Sequence, residues 1–165
     1  MIIESQRFGT IECSEEDIIN FPAGIIGFPD DTQYILIQHK TSSAIGWLQS
    51  TTSEHVSLPV VSAHGLAPEY PDVPVANAAR AIGLEGEEGD FAVLAVLCAR
   101  SGLPATVNLL APIVINAATR TGGQVFLDGS RFTTRELFVM PTAAAESAAD
   151  DTQDASPELA EAATP

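Results

Sequence analysis

Apolar and polar residues alternate at a period of two through much of residues 1–140, the pattern of strands with one face buried. Runs of this kind fall at 2–5, 7–13, 18–21, 32–39, 45–50 and 56–62, and again at 105–110, 113–117, 124–127 and 132–139. Pro59 marks its run as an edge or a bulge, because proline has no N–H to donate to a ladder. Residues 91–99 are almost wholly apolar, which predicts a central strand buried on both faces, with a buried helix as the competing assignment. Thr121-Gly122-Gly123 is read as a hairpin turn. Ser14-Glu15-Glu16-Asp17 has the signature of a helix start but room for only one turn. One short helix is predicted over 74–82, which is alanine-rich, with Pro74 near its first turn and Gly83 as its cap. Strands at this spacing, joined by turn chemistry, predict a mainly β protein, an antiparallel barrel or sandwich.

Two segments break the pattern. Residues 22–31 carry two prolines and two glycines around Ile25, Ile26 and Phe28. This predicts a structured loop whose apolar side chains plug one end of the core or fill a partner's pocket. From Pro141 to Pro165 the chain is Ala, Ser, Thr, Pro and acids, with Leu159 the only large aliphatic residue and no base. Such a segment cannot bury enough apolar surface to offset its ordering entropy. The expected organisation is one domain over 1–140 and a disordered acidic tail over 141–165.

Charge narrows the function classes. The chain holds 22 acids against 7 bases, a net charge of −15. Nucleic-acid binding needs a basic face to replace phosphate counterions, and no window supplies one. Arg120, Arg131 and Arg135 come nearest, interspersed with Asp128 and Glu136. Direct nucleic-acid binding is therefore not expected, and anionic membranes are disfavoured by the same argument. No apolar run reaches the roughly 20 residues of a membrane span. The N-terminus has no basic segment followed by an apolar one, so it does not read as a signal peptide. Cys13 and Cys98 sit in apolar runs and read as reduced, small apolar residues. Together these place the chain in the cytoplasm.

No reactive constellation emerges, and neither an enzyme nor a cofactor is expected. His39, His55 and His64 lack a partner at metal-ligand spacing. Gly-x-Ser-x-Gly is absent, and Gly122-Gly123 lacks the residues of a phosphate loop. Glu85, Glu87, Glu88 and Asp90 form an acidic cluster, either a solvated face or an electrostatic surface turned towards a charged partner. Asn108 and Asn116 lie in apolar company and read as structural amides. Trp47, the only tryptophan, reads as core.

The stretch Asn108-Leu109-Leu110-Ala111-Pro112-Ile113-Val114-Ile115-Asn116, with Thr119-Arg120, Gly123-Gln124-Val125 and Leu127-Asp128 behind it, resembles the C-terminal signature of the FliW family of flagellar assembly factors. Arg131-Phe132-Thr133-Thr134-Arg135 resembles the segment that closes it. Phe8-Gly9-Thr10-Ile11-Glu12, the block from Ile19 to Phe28, and Trp47-Leu48-Gln49-Ser50 are similar to earlier family blocks. The resemblance covers residues 1–138.

It implies a small antiparallel β-barrel that binds two proteins and carries no catalytic centre. One partner is flagellin. The other is CsrA, an RNA-binding translational regulator that represses flagellin synthesis. Flagellin in the cytoplasm would occupy the protein; export of flagellin would release it to antagonise CsrA. The free protein is expected to be a monomer. The alternative from another class is a small-molecule-binding or hydrolytic β-barrel with acids at its mouth. Ile25, Ile26 and Phe28, with the acidic cluster, are the candidate protein-binding residues.

Overall fold

The computed structural model describes residues 1–39, 42–64, 66, 70, 75–87 and 90–139. Pro74, Glu88 and the acidic tail 141–165 lie outside them. In chain order the elements are β1 (Ile2–Ser5), β2 (Gly9–Glu12), β3 (Ile18–Asn20), β4 (Gln33–His39), β5 (Ser42–Ser50), β6 (Ser57–Ser62), α1 (Val75–Ala81), β7 (Phe91–Cys98), β8 (Thr106–Asn116), β9 (Thr121–Gln124) and β10 (Glu136–Leu137). Neighbours from β3 to β8 pair antiparallel, β8 pairs β9, and β9 meets β3 through a parallel bridge between Thr121 and Asn20. The strands from β3 to β9 thus close into a barrel, one of the two architectures the alternation left open and the one the resemblance implied. Closure removes the free edges that an open sheet would expose. The β1–β2 hairpin and β10 are appendages.

Two cores follow from the two faces of the strands. Ile19, Tyr34, Leu48, Val60, Ile113 and Ile115 come from β3, β4, β5, β6 and β8 and pack together with Phe21 and Ile25. This first core thus draws on five strands. The second core lies on the other face of β7, where Phe91, Val93, Ala95 and Leu97 meet Val75, Ala76 and Ala79 of α1. The small side chains of α1 let its backbone approach the sheet closely. The helix stops in a Schellman arrangement: Gly83 takes φ +83°, and the N–H groups of Gly83 and Leu84 donate to the carbonyls of Arg80 and Ala79, both at 3.0 Å. Where the turn signature stood at 14–17, a single 3₁₀ turn forms over Glu15–Asp17. The Ser14 N–H and hydroxyl both donate to the Asp17 carboxylate at 2.8 Å, which holds that carboxyl below its ordinary pKa.

Several expectations need correction. Residues 105–110 and 113–117 are not two strands; β8 runs unbroken through Pro112. The reason is a bulge. Leu94 pairs Ile113 and Val96 pairs Asn108, so 109–112 have no β7 partner, and the N–H that proline lacks is not needed there. Asn108 serves this bulge by accepting the Ala111 N–H at 2.9 Å. Gly122 and Gly123 do not form the hairpin turn. They lie within β9, and the turn is made by 117–120, with Arg120 at φ +50°. Asn116 caps that turn, accepting the N–H groups of Ala118 and Thr119. Of 132–139 only β10 is strand. In β7 one face is buried and the other only half-covered, and Cys98 is exposed, not a core residue. Trp47 is half-buried, lying beneath the Arg7 guanidinium at 3.6 Å and edge-on to Phe8 at 5.9 Å. It fastens the β1–β2 hairpin to the barrel and is not part of either core.

The first core contains one oddity. Tyr34 is fully buried, its ring edge-on to Phe21 at 5.3 Å, yet its hydroxyl has no hydrogen-bond partner among the described residues. Burial, with the nearby Asp31 carboxylate, pushes its pKa well above the usual phenol range. A buried donor without an acceptor costs about 1–3 kcal/mol. Tyr34→Phe is therefore expected to leave stability unchanged or raise it by about 1 kcal/mol. Thermal melts check this, and a clear drop in melting temperature would contradict it.

Candidate functional site

The loop after β3 is built by its own backbone. Phe21 N–H donates to Thr32 O at 2.8 Å and Gly24 N–H to Phe21 O at 2.8 Å. Ile25 and Phe28 then exchange N–H···O bonds of 3.3 and 2.7 Å, which closes a tight turn with Ile26 and Gly27 at its tip. Gly24 cannot be replaced without strain: φ is +65°, and a Cβ would lie 2.5 Å from Phe28 O.

This geometry divides the three apolar candidates. Ile25 is buried in the first core and Phe28 packs against it half-buried, so both plug that core. Ile26 points outward with 72% of its surface exposed. The tip is held rigidly: Ile26 N–H donates to Gln124 Oε1 at 3.0 Å, while Gln124 Nε2 donates to Ala111 O at 2.8 Å. An exposed aliphatic side chain on a fixed backbone loses little entropy on binding, which is what an interface anchor requires.

Beside the tip lies a groove of about 380 Å³. Its walls are the 22–29 loop and Ile82–Leu84 beyond α1, and its floor is Thr121–Gln124 of β9. Among the described residues, no titratable side chain lines it. Two glycines shape the floor. A Cβ on Gly122 would meet the Phe21 ring at 2.7 Å, and one on Gly123 would meet Ile82 Cδ1 at 2.5 Å. The double glycine was the sequence signal for this groove, since glycine inside a strand marks close backbone approach. Gln124, Ile82 and Leu84 gave no comparable signal.

The acidic candidates follow directly from Leu84. Glu85, Glu87 and Asp90 are exposed, and Glu88 lies outside the described residues. The segment is anchored by its backbone: Asn116 Nδ2 donates to Glu85 O at 3.0 Å, and Glu87 N–H donates to Asp90 Oδ2 at 2.7 Å. The Asp90 carboxylate is thus turned back onto its own loop, while among the described residues no hydrogen bond holds the Glu85 and Glu87 carboxylates. Among the described residues, no cluster of three or more His, Cys, Asp or Glu could hold a metal ion. No helix there is long and apolar enough to cross a membrane.

The described residues define a small, closed, mainly antiparallel β-barrel with a rigid apolar tip, an uncharged groove and an acidic margin. The FliW protein family model matches residues 2–138. The chain belongs to that family, one of flagellar assembly factors. It is 37% identical over 135 residues to a flagellar assembly factor FliW of Desulfitobacterium hafniense strain DSM 10664 / DCB-2, covering 82% of this chain and 89% of that protein. A FliW from Thermotoga neapolitana is 33% identical over 138 residues, covering 82% and 92%. The crystal structure of a flagellar assembly factor FliW superposes with a TM-score of 0.73 at 30% identity, covering 83% of this chain and 96% of the other.

Proposed function

We propose that this protein binds flagellin and, when flagellin is absent, binds and antagonises the RNA-binding translational regulator CsrA in the cytoplasm, so relieving repression of flagellin synthesis. Membership in the family of flagellar assembly factors supports the setting. The observation that carries a binding role is the fixed, exposed Ile26 tip beside an apolar groove without titratable groups. Such a surface recognises polypeptide and offers nothing to acid–base chemistry.

The acidic margin gives the antagonism a physical basis. An RNA-binding regulator presents positive charge to phosphates. An acidic partner docked beside that surface repels them without covering it. Two unit charges about 10 Å apart in water interact by roughly 0.4 kcal/mol before screening. Several acids facing several phosphates reach roughly 2 kcal/mol, about thirtyfold in affinity. Replacing Glu85, Glu87, Glu88 and Asp90 together by their amides is expected to weaken the release of RNA from CsrA more than the binding of CsrA. The measurement is RNA competition over roughly 50–300 mM salt, because the screening length is about 8 Å at physiological ionic strength. Unchanged RNA release across that range would exclude repulsion by this cluster.

A further inference from the structure

Among the described residues, the barrel's weakest strand pairing is the seam between β9 and β3. β9 follows β8 along its whole length, but it meets β3 at a single rung, Asn20 with Thr121. The next parallel rung would need an N–H from residue 22 to reach Gly122 O. That residue is Pro22, which has no N–H. The ladder therefore stops there, and the 22–29 loop swings away to form the groove wall.

The β8–β9 register shows which β9 groups are left over. Val125 N–H donates to Pro112 O and Leu127 N–H to Leu110 O, continuing the register of Gln124 with Ile113 and Gly123 with Val114. In an antiparallel pair, residues alternate between facing the partner and facing away. Gly123, like Val125, points its N–H and C=O at β8. Gly122 C=O and Gln124 N–H point into the seam, where no hydrogen bond engages them among the described residues.

We propose that this seam takes an extended segment of a partner polypeptide, which pairs with Gly122 C=O and Gln124 N–H, sets an apolar side chain between Ile26 and Ile82, and carries a basic residue towards Glu85 and Glu87. The proposal rests on the partner-binding function above and assigns its contact. Three observations specify this occupant. A row of unused backbone groups is matched by another backbone, as in strand addition to a sheet edge. Between Thr121 and Gln124 the floor is glycine, so an incoming main chain meets no β9 side chain along Gly122 and Gly123. The rim residues Ile26 and Ile82 are 72% and 47% exposed, apolar and face open space, and about 380 Å³ holds side chains but not a folded element.

The charge is set by what borders the groove. Glu85 and Glu87 follow Leu84 of the wall with exposed carboxylates. Two arginines are also near in sequence. Arg120 acts on Asp17 at the far side of β9, and Arg80 lies exposed on α1, outside the groove lining. On a chain of net charge −15, a partner segment with a basic flank is the complementary one.

The test is amide hydrogen exchange of the full chain, alone and saturated with monomeric flagellin or with CsrA. Gln124 N–H is expected to exchange rapidly in the free protein and at least about tenfold more slowly with one of these partners. Ile26→Asp, a change at an exposed tip, is expected to melt like the wild type and to bind that partner more than about tenfold more weakly. Glu85→Lys with Glu87→Lys is expected to weaken it several-fold, the difference shrinking as salt rises. If a partner binds the wild type while Gln124 exchange is unchanged, or if Ile26→Asp binds equally well, the seam is not the contact although the proposed function stands. If neither partner binds, the function itself falls and this inference with it.

Discussion

Gly122→Ala is expected to destabilise the protein by about 2–3 kcal/mol, the cost of forcing extra volume into a packed core. The added Cβ would sit 2.7 and 2.8 Å from two Phe21 ring carbons and 3.0 Å from Val114 O. Neither neighbour can yield. Phe21 is fully buried against Tyr34, and Val114 belongs to the β8–β9 ladder. The gain of about 0.4–1 kcal/mol from stiffening the unfolded chain does not offset this. Gly123→Ala supplies the control. Its Cβ meets Ile82 Cδ1, the end of a half-exposed side chain that can rotate away, so its cost is expected below about 1 kcal/mol. Denaturant unfolding of the two variants checks the contrast. Equal losses would mean that β9 does not present its two glycines to opposite faces.

Gln49→Leu is the second large effect, expected at about 3 kcal/mol. Gln49 is fully buried and organises one end of the barrel. Ser5 hydroxyl donates to Gln49 Oε1 at 2.7 Å, and Gln49 Nε2 donates to the carbonyls of Ser50 and Ser53 at 3.0 and 3.3 Å. Ser5 Oγ in turn accepts the N–H groups of Arg7 and Phe8 at 3.2 Å, the residues that cover Trp47. Leucine preserves volume but leaves the buried Ser5 hydroxyl and the Ser50 carbonyl short of partners, each costing about 1–3 kcal/mol where nothing replaces the bond, whereas Ser53 O keeps the Val56 N–H at 3.1 Å. The loss should be accompanied by a red shift of Trp47 fluorescence as the hairpin loosens. A stable variant with unshifted fluorescence would show that the hairpin is held by other contacts.

The period-two alternation exposed most of the strands because each has one face on a shared core, as Tyr34, Leu48 and Val60 illustrate. The helix was legible from alanine content and Gly83, whose left-handed backbone is a local property. What stayed hidden depends on contacts distant in sequence. Pro112 looked like a strand end because proline breaks a ladder, yet it lies in a bulge of β8 that has no β7 partner, where its missing N–H is harmless. Gly122-Gly123 looked like a turn because glycine serves turns and close approaches equally, and only the Phe21 ring distinguishes them. Trp47 looked like core because nothing in its neighbourhood announces that Arg7 stacks on it. At the candidate site, the proline–glycine loop marked Ile25, Ile26 and Phe28 as a unit. Their division into plug and tip follows from the bond between Ile26 and Gln124, 98 positions apart.

A single chain serving both partners in exchange is most directly tested by calorimetric titration with flagellin, with CsrA, and with flagellin added to the preformed CsrA complex. Binding of each at about micromolar concentration or tighter, with flagellin displacing CsrA, is the predicted outcome. If neither partner bound at such concentrations, or if both bound without either affecting the other, the partner-exchange account would be wrong.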